Sequence, residues 1–328
     1  VRAAVNTSYG PPEVVTVTEV PVPEPGEGEL LVRVDVTTVN RTDCAYRAAR
    51  PFFMRSMTGL RRPRRTILGT ELAGEVVGTG AQVDQFAVGD RVFAYVEGRF
   101  GAHAEYAVVH QGASVATVPA TVSQTAAAAA TEGFHYARSA IRRAGVRPGD
   151  QVLVNGATGG IGSAAVQQLA ALGVSVTAVC AGEPADLVRG LGAEHVVDYT
   201  TEDFTRLPDR FHVVLDAIGK STFGRCRRIL RPDGVYVSSE LGPGWQNLPL
   251  SALGTLRRGR QRVVFPFPEE GQSVVEEIRD HLAAGTFRPV IDRTYPLAEI
   301  AEAHRYVETG QKIGNVVITV GTATPDAG

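Results

Sequence analysis

The residues best suited by type and spacing to do chemistry lie between Gln151 and Cys180, in the stretch QVLVNGATGGIGSAAVQQLAALGVSVTAVC. A short apolar run, Gln151 to Asn155, predicts a buried strand. The turn Gly156-Ala157-Thr158-Gly159-Gly160-Ile161-Gly162 follows, then an Ala/Gln/Leu-rich helix from about Ser163 to Leu172. Gly173 stands just past the helix end, and Val174 to Cys180 predicts a second strand. Strand, turn, helix and strand within roughly 30 residues is the setting that turns a glycine pattern into a dinucleotide site. Glycine lets the backbone approach a diphosphate, whose charge then meets the unpaired N–H groups at the helix start. Gly156, Ala157, Thr158, Gly159, Gly160 and Ile161 are therefore candidate cofactor-binding residues. A tight turn holding no nucleotide is the competing reading, and the agreement of all four elements weighs against it.

The end of the second strand reads the cofactor's ribose. NAD enzymes place a carboxylate there for the 2′-hydroxyl, whereas NADP enzymes place small residues with an Arg or Lys for the 2′-phosphate. This chain has Cys180-Ala181-Gly182-Glu183. Cys180 and Ala181 are the candidate contacts. Glu183 would repel a phosphate and so favours NADH. The lack of an Asp at Cys180 leaves NADPH open, with Arg189 or Arg206 as candidate phosphate partners. Cys44, Cys180 and Cys226 are scattered with no C-x-x-C pair, which argues against a disulfide framework and a thiolate zinc site. His110, His195, His212 and His281 lack metal-ligand spacing.

These residues need two kinds of scaffold. The first 120 residues are rich in short strands: Val14 to Val20, Leu30 to Val39, the Gly/Val run from Gly69 to Gly80, and Val92 to Tyr95 after the Gly89-Asp90-Arg91 turn. Gly/Pro punctuation between them, such as Pro21 to Gly26, suggests a partly closed β-barrel. One alanine-rich helix is expected over Thr125–Ala144. Strands and helices then alternate: Ser175–Cys180, Ala185–Leu191, His195–Asp198, Val213–Asp216, Thr222–Leu230, Gly234–Ser238, Arg262–Phe265 and Ser273–Ala284, the pattern of a doubly wound parallel sheet. The tail from Pro289 to Val320 gives strand, helix (Leu297–Thr309) and strand, and is expected to rejoin the first domain. At 328 residues, 44% hydrophobic and 21% charged, the chain suits two domains with sizeable cores. Its net charge of −2 gives no global attraction to nucleic acid or to acidic membranes, so neither is expected as a partner. No apolar run or leader-like segment stands out, and a soluble cytoplasmic protein is expected.

With these pieces placed, the chain resembles the medium-chain dehydrogenase/reductase superfamily, and within it the zinc-independent quinone oxidoreductase-like branch. The marks are Val39-Asn40-Arg41-Thr42-Asp43, Gly69-Thr70-Glu71-Leu72-Ala73-Gly74, Gly89-Asp90-Arg91-Val92, Gly101-Ala-His-Ala-Glu-Tyr106, the Gly156–Gly162 turn, Leu191-Gly-Ala193 with Val197-Asp198-Tyr199, Asp216-Ala217-Ile218-Gly219 and Gly314-Asn315-Val316-Val317. The resemblance implies an α/β protein with a GroES-like β-barrel domain (1–123 and 289–328) plus a Rossmann doubly wound parallel-sheet domain (124–288). It further implies an NAD(P)H cofactor, an active site in the cleft between the domains, a small-molecule substrate and a homodimer. Zinc-dependent relatives carry a Cys and a His at the positions held here by Asn40 and Thr70, and the four-cysteine structural zinc loop is missing, so a zinc-free enzyme is expected.

Without a Lewis acid, hydride transfer needs an acceptor that is already electrophilic: a quinone, or the β-carbon of an enone or enal. An enone also needs a proton donor. Tyr46, in Asn40-x-x-Asp43-x-x-Tyr46-Arg47, is the candidate, set against a packing role or bound water. Asn40 and Thr131 are candidate catalytic and cofactor-side residues. Within Thr131-Glu132-Gly133-Phe134-His135-Tyr136, Glu132 and His135 depart from the family's usual small residues; a proton relay and a plain i, i+3 side-chain contact are both open. Family likeness places Tyr199 beside the adenosine ribose or phosphate, Ala217-Ile218-Gly219 in a loop over the ribose, Phe265 and Phe267 near the nicotinamide, and Asn315 at the cofactor side. NADPH is the expected cofactor, with NADH possible. Two further readings stand beside the reductase: an NAD(P)H-binding redox sensor with little turnover, and a zinc-free alcohol dehydrogenase. Seven arginines between Arg47 and Arg65, interleaved with Phe52, Phe53, Met54, Met57 and Leu60, suggest either an amphipathic lid for a large or anionic substrate or a solvated basic face.

Overall fold

The computed structural model describes residues 1–254, 259–267, 269 and 271–321. The chain divides into two compact units, one formed by Val1–Glu132 with Glu270–Gly328 and the other by Gly133–Glu269. These edges fall later than the expected 123/124 and earlier than the expected 288/289. The reason is packing: a helix at Gln124–Ala129 lies against four strands of the first unit, and the helix Gln272–Ala283 lies on another.

The first unit holds β1 (Arg2–Val5), β2 (Thr16–Glu19), β3 (Glu29–Val39), β4 (Glu71–Thr79), β5 (Arg91–Tyr95), β6 (Tyr106–His110), β7 (Ser114–Thr117) and, from the chain's return, β14 (Ile291–Pro296) and β15 (Asn315–Thr319). Its main sheet runs β14-β15-β3-β4-β5-β7, with β6 also pairing β3 and a separate β1-β2 ribbon. Among the described residues of this unit, β14 and β15 alone pair in parallel. β3 shows how sequence becomes site. Leu30, Val32 and Val34 are buried and alternate with more exposed neighbours, but all four residues from Val36 to Val39 are buried. Alternation stops where both faces are covered, and there the strand delivers two buried polar side chains, Thr37 and Thr38. Helix α1 (Arg41–Ala48) follows at once, then the short α2 (Met54–Thr58). At the front of the chain, a 3₁₀ turn at Pro12–Val14 shortens the expected Val14–Val20 strand, because the Val14 and Val15 N–H groups turn back to the Pro11 and Pro12 carbonyls.

The expected single helix over Thr125–Ala144 is two, α3 (Gln124–Ala129) and α4 (Thr131–Ala144). Ala130 N–H bonds to Ala127 in a 3₁₀ step, and the Thr131 hydroxyl is drawn off the helix to Glu71.

The second unit holds β8 (Gln151–Asn155), β9 (Ser175–Cys180), β10 (His195–Asp198), β11 (Phe211–Asp216), β12 (Leu230–Ser238) and β13 (Arg262–Val264), with α5 (Gly160–Ala171), α6 (Ala185–Gly190), α7 (Phe223–Cys226) and α8 (Asn247–Gly254). All six strands are parallel, in the order β10-β9-β8-β11-β12-β13. This is the doubly wound order, with its switch point between β8 and β11. Val152, Leu153 and Val154 are fully buried, each contributing about 1.5–3 kcal/mol by leaving water. The expected helix over Thr222–Leu230 is a single turn, since Leu230 already pairs with Phe211 in the sheet. The expected strand at Arg262–Phe265 stops at Val264, and Phe265 N–H instead meets the Ser251 hydroxyl. α9 (Gln272–Ala283) and α10 (Ile300–Glu308) return the chain to the first unit. Among the described residues no helix is long and apolar enough to cross a membrane.

Candidate functional site

In the second unit, Gly156 has φ of 80°, and a Cβ there would lie 2.4 Å from Ile218 Cγ2. A Cβ on Gly162 would lie 2.0 Å from the Gly156 carbonyl oxygen. Glycine at these two positions lets α5 close onto the end of β8 and lets the Ile218 loop lie over the turn. Gly159 caps α5 without a side-chain hydrogen bond, and the N–H groups of Gly160, Ile161 and Gly162 find no acceptor among the described residues. A Cβ on Gly159 would meet only the Gly156 oxygen, at 3.6 Å. A twelve-residue helix thus presents unpaired donors beside an open approach, and a dinucleotide's diphosphate fits both features. Ala157 is buried, with its N–H on Val179 O at 3.1 Å; Thr158 to Ile161 are partly exposed.

Asp216 ends β11 and locks the switch point. Its Oδ1 accepts from Asn155 Nδ2 at 2.9 Å, and its Oδ2 accepts from Ser221 N at 2.9 Å and Tyr236 Oη at 2.8 Å. The following loop, Ala217-Ile218-Gly219, is tied back by Ala217 N–H to Asn155 O. Cys180 is buried, and burial raises its thiol pKa. Tyr199 is 57% exposed and is held by its N–H on Cys180 O. Ala181 is half-buried, and Glu183 is exposed. Arg189 pairs with Asp186 at 2.9 Å and Arg206 with Asp203 at 3.7 Å, so each answers a carboxylate close by in sequence. Asp198 lies beside Gly182, whose Cβ would sit 2.5 Å from Asp198 Oδ2. Hydrogen bonds from Thr200 and from the Gly182 N–H hold the Asp198 carboxyl below its usual range. The Phe265 and Phe267 rings meet at a tilt of 50° with centroids 4.7 Å apart, and Phe267 is 52% exposed.

In the first unit, Asn40 caps α1: its Oδ1 accepts from Asp43 N at 2.9 Å, while Asp43 Oδ2 accepts from Asn40 N at 3.1 Å. Asn40 Nδ2 donates to Thr70 Oγ1 at 2.7 Å. The buried Asp43 also takes Gly69 N at 3.0 Å, and desolvation nonetheless raises its pKa to about 7. His103 Nε2 bonds Thr38 O at 2.8 Å. A carbonyl only accepts, so Nε2 carries the proton, and burial lowers this imidazole's pKa to about 4. Glu71, fully buried, accepts from the Thr38 hydroxyl, from Thr131 Oγ1 at 2.7 Å and from Glu132 N at 2.6 Å. Glu132 Oε1 accepts from Thr42 Oγ1 at 3.0 Å. Burial raises both carboxyls, and Glu71 pushes Glu132 further up. Burial lowers Lys312, against the attraction of Glu132 and Glu71; its Nζ donates to Gly314 O at 2.5 Å.

Tyr46 stands on α1, its ring 4.6 Å from Phe100, with its phenol pKa raised by burial and by Glu97. Asn315 is buried on β15, with Nδ2 on Val290 O at 3.0 Å; that amide ties two stretches of the first unit together. In this unit the structure therefore gathers Asn40, Thr131 and the Thr70 position into one polar network. Sequence reasoning missed its other members: Thr38, Glu71 as its centre, His103 and Lys312. Glu71 was visible inside Gly69-Thr70-Glu71, and Lys312 as one of only two lysines, but nothing in the sequence reports burial. The metal test rests on donors. The residues at the zinc-ligand positions bond each other through an amide N–H and a hydroxyl, and among the described residues no group of three His, Cys, Asp or Glu is placed to hold a metal. Zinc does not fit this pair.

A doubly wound nucleotide unit and an antiparallel barrel-like unit, carrying these networks, define a two-part dinucleotide-binding oxidoreductase. Residues 26–120 match the alcohol dehydrogenase GroES-like domain, and residues 191–318 match the zinc-binding dehydrogenase domain. The chain belongs to the medium-chain dehydrogenase/reductase superfamily, in its quinone oxidoreductase-like branch. It is 31% identical to the quinone oxidoreductase of Pseudomonas aeruginosa, over 95% of this chain and 97% of that protein. It is 28% identical to the chloroplastic NADPH-dependent alkenal/one oxidoreductase of Arabidopsis thaliana, over 97% of this chain and 79% of the relative. Its fold matches that of the quinone oxidoreductase from Coxiella burnetii with a TM-score of 0.87 at 23% identity, covering 98% of this chain and 99% of the other.

Proposed function

We propose that this oxidoreductase transfers hydride from NAD(P)H to a quinone or an α,β-unsaturated carbonyl without zinc, and that NADPH is the preferred donor. The observation that carries the metal-free reading is the Asn40–Thr70 hydrogen bond, which fills with an amide and a hydroxyl the positions where zinc-dependent relatives hold ligands. Relatives over most of the chain are a quinone oxidoreductase and an NADPH-dependent alkenal/one oxidoreductase, which supports both acceptor classes. For NADPH, support comes from that second relative and from β9 ending in the buried Cys180, without the carboxylate that reads a 2′-hydroxyl.

The bound cofactor supplies the hydride; the chain holds and orients. Gly156 to Ile161 cradle the diphosphate against the start of α5. Ile218 and Gly219 bound the ribose, with Tyr199 at the adenosine edge. On the first unit, Asn40 fixes the start of α1 and thereby the place of Tyr46, whose phenol, still protonated at neutral pH, donates to the oxygen on which enolate charge develops. The Thr131 hydroxyl and the Glu132 N–H hold Glu71 and so set the start of α4. The test is isotopic. With NADPH deuterated at nicotinamide C4, an enone product carries deuterium at its β-carbon. Deuterium at the carbonyl carbon, or a product without deuterium when C4 carries two deuterons, contradicts the reading.

A further inference from the structure

The segment from Arg47 to Arg65 carries seven arginines, and no Asp or Glu stands between Asp43 and Glu71. Arg47 is buried and paired with Glu308, and Arg55 lies over the Tyr9 and Phe52 rings at 5.0 Å. The remaining five, Arg50, Arg61, Arg62, Arg64 and Arg65, are exposed, and none has an ion pair among the described residues. Arginines elsewhere, such as Arg2, Arg33, Arg99, Arg138 and Arg305, meet carboxylates of this chain. Among the described residues the positive charge of these five has no internal counterpart.

The apolar side chains point the same way. Phe52 is 72% exposed, Leu60 71% and Met57 66%, the highest values among the exposed large hydrophobic residues described. The segment is not a loose loop that happens to be bare. Tyr9 Oη donates to Gly59 O at 2.7 Å and lies 2.7 Å from Thr58 Oγ1. Gly59 N bonds Arg55 O at 3.0 Å, and Arg64 N bonds Thr58 O at 2.8 Å. A built scaffold thus holds apolar side chains out of the core, among unpaired cations.

We propose that this face docks on an anionic lipid bilayer, with Phe52, Met57 and Leu60 entering the headgroup–acyl boundary while the exposed arginines meet lipid phosphates. Basic residues interleaved with aromatic and aliphatic ones are the composition of interfacial segments. A nucleic-acid backbone satisfies the arginines but gives Met57 and Leu60 no apolar medium. A second copy seated symmetrically on the same face sets two uncompensated basic patches against each other. The expectation of no membrane partner rested on whole-chain charge, which averages away a local cluster. Docking brings the protein to where apolar acceptors partition, although the inference stands independently of the acceptor.

The test is co-sedimentation of the full chain with vesicles of pure phosphatidylcholine and of an equal mixture with phosphatidylglycerol, at low and high salt. Binding to the mixed vesicles exceeds that to neutral ones by at least tenfold and falls with salt. The triple change Phe52→Ser, Met57→Ser, Leu60→Ser and the quadruple change Arg61→Gln, Arg62→Gln, Arg64→Gln, Arg65→Gln each weaken it about tenfold or more, while melting temperature and NADPH binding are retained. Equal sedimentation with both vesicle types, or none, overturns the proposal. So does full binding by the serine triple variant, or tighter binding to duplex DNA that ignores that change; both reduce the face to a bare cation patch. Dissociation of a dimer by the triple variant assigns the face to a second copy and overturns it likewise.

Discussion

The side-chain amide of Asn40 donates to the hydroxyl of Thr70 at 2.7 Å, so two positions that hold metal ligands in zinc-dependent relatives are here a closed hydrogen bond. Neither group is a competent zinc ligand in this arrangement. Turnover therefore persists after exhaustive dialysis against a chelator, and added zinc does not raise it; atomic absorption on the purified protein together with a rate assay checks both.

Two glycines of the same turn respond differently to one methyl group. Gly162→Ala places a Cβ 2.0 Å from the Gly156 oxygen and costs about 2–4 kcal/mol of stability, since backbone on both sides must move. Gly159→Ala meets nothing closer than 3.6 Å and leaves stability within about 0.5 kcal/mol, yet weakens NADPH binding about tenfold or more by roughening the surface a diphosphate approaches. Urea melts and cofactor fluorescence titration separate the two effects.

The pH dependence of stability isolates Asp43. Its pKa rises from 3.8 unfolded to about 7 folded, so its contribution is fully present below about pH 4 and is lost as pH rises through 7, with a slope of at most about 1.4 kcal/mol per pH unit. His103 acts in the opposite sense: its pKa falls from 6.5 to about 4, and its contribution is lost as pH falls between those values. The wild-type curve mixes these two with the raised Glu71 and Glu132 carboxyls. Asp43→Asn removes the Asp43 contribution, so its stability relative to wild type improves from pH 4 to 7 and then levels. Chemical melts across pH 4 to 8 measure this, and a constant difference rules out a proton held at Asp43.

Tyr46→Phe removes a hydroxyl and keeps the ring contact with Phe100 at 4.6 Å. Enone reduction, which needs a proton donor, drops about 10²–10⁴-fold in kcat. The effect on a quinone is smaller, and thermal stability is little changed. Equal rates for both acceptors assign the proton to water instead.

Much of this was legible in the sequence, for identifiable reasons. The β8–α5 turn announces itself because glycine at Gly156 and Gly162 answers a steric demand that no other residue meets. The parallel sheet of the second unit follows from the alternation of apolar runs with helical ones, while its strand order is read from the structure. The break at Ala130 was hidden, because it depends on Thr131 finding Glu71 from 60 residues away. The polar network was hidden for the same reason. Thr38, Glu71 and His103 read as ordinary surface residue types until the fold removes water from them. For Asn315, expected on the cofactor side, the fold adds a bond no sequence reports: its amide ties β15 to Val290.

The central claim meets its most direct test in the decay of reduced nicotinamide absorbance when chelator-treated protein is mixed with NADPH or NADH and a panel of quinones, enones and alcohols. The account predicts decay with NADPH that requires a quinone or enone, is slower with NADH, and is unchanged by the chelator. Tight NADPH binding without decay for any acceptor, or cofactor reduction by an alcohol in its place, contradicts it.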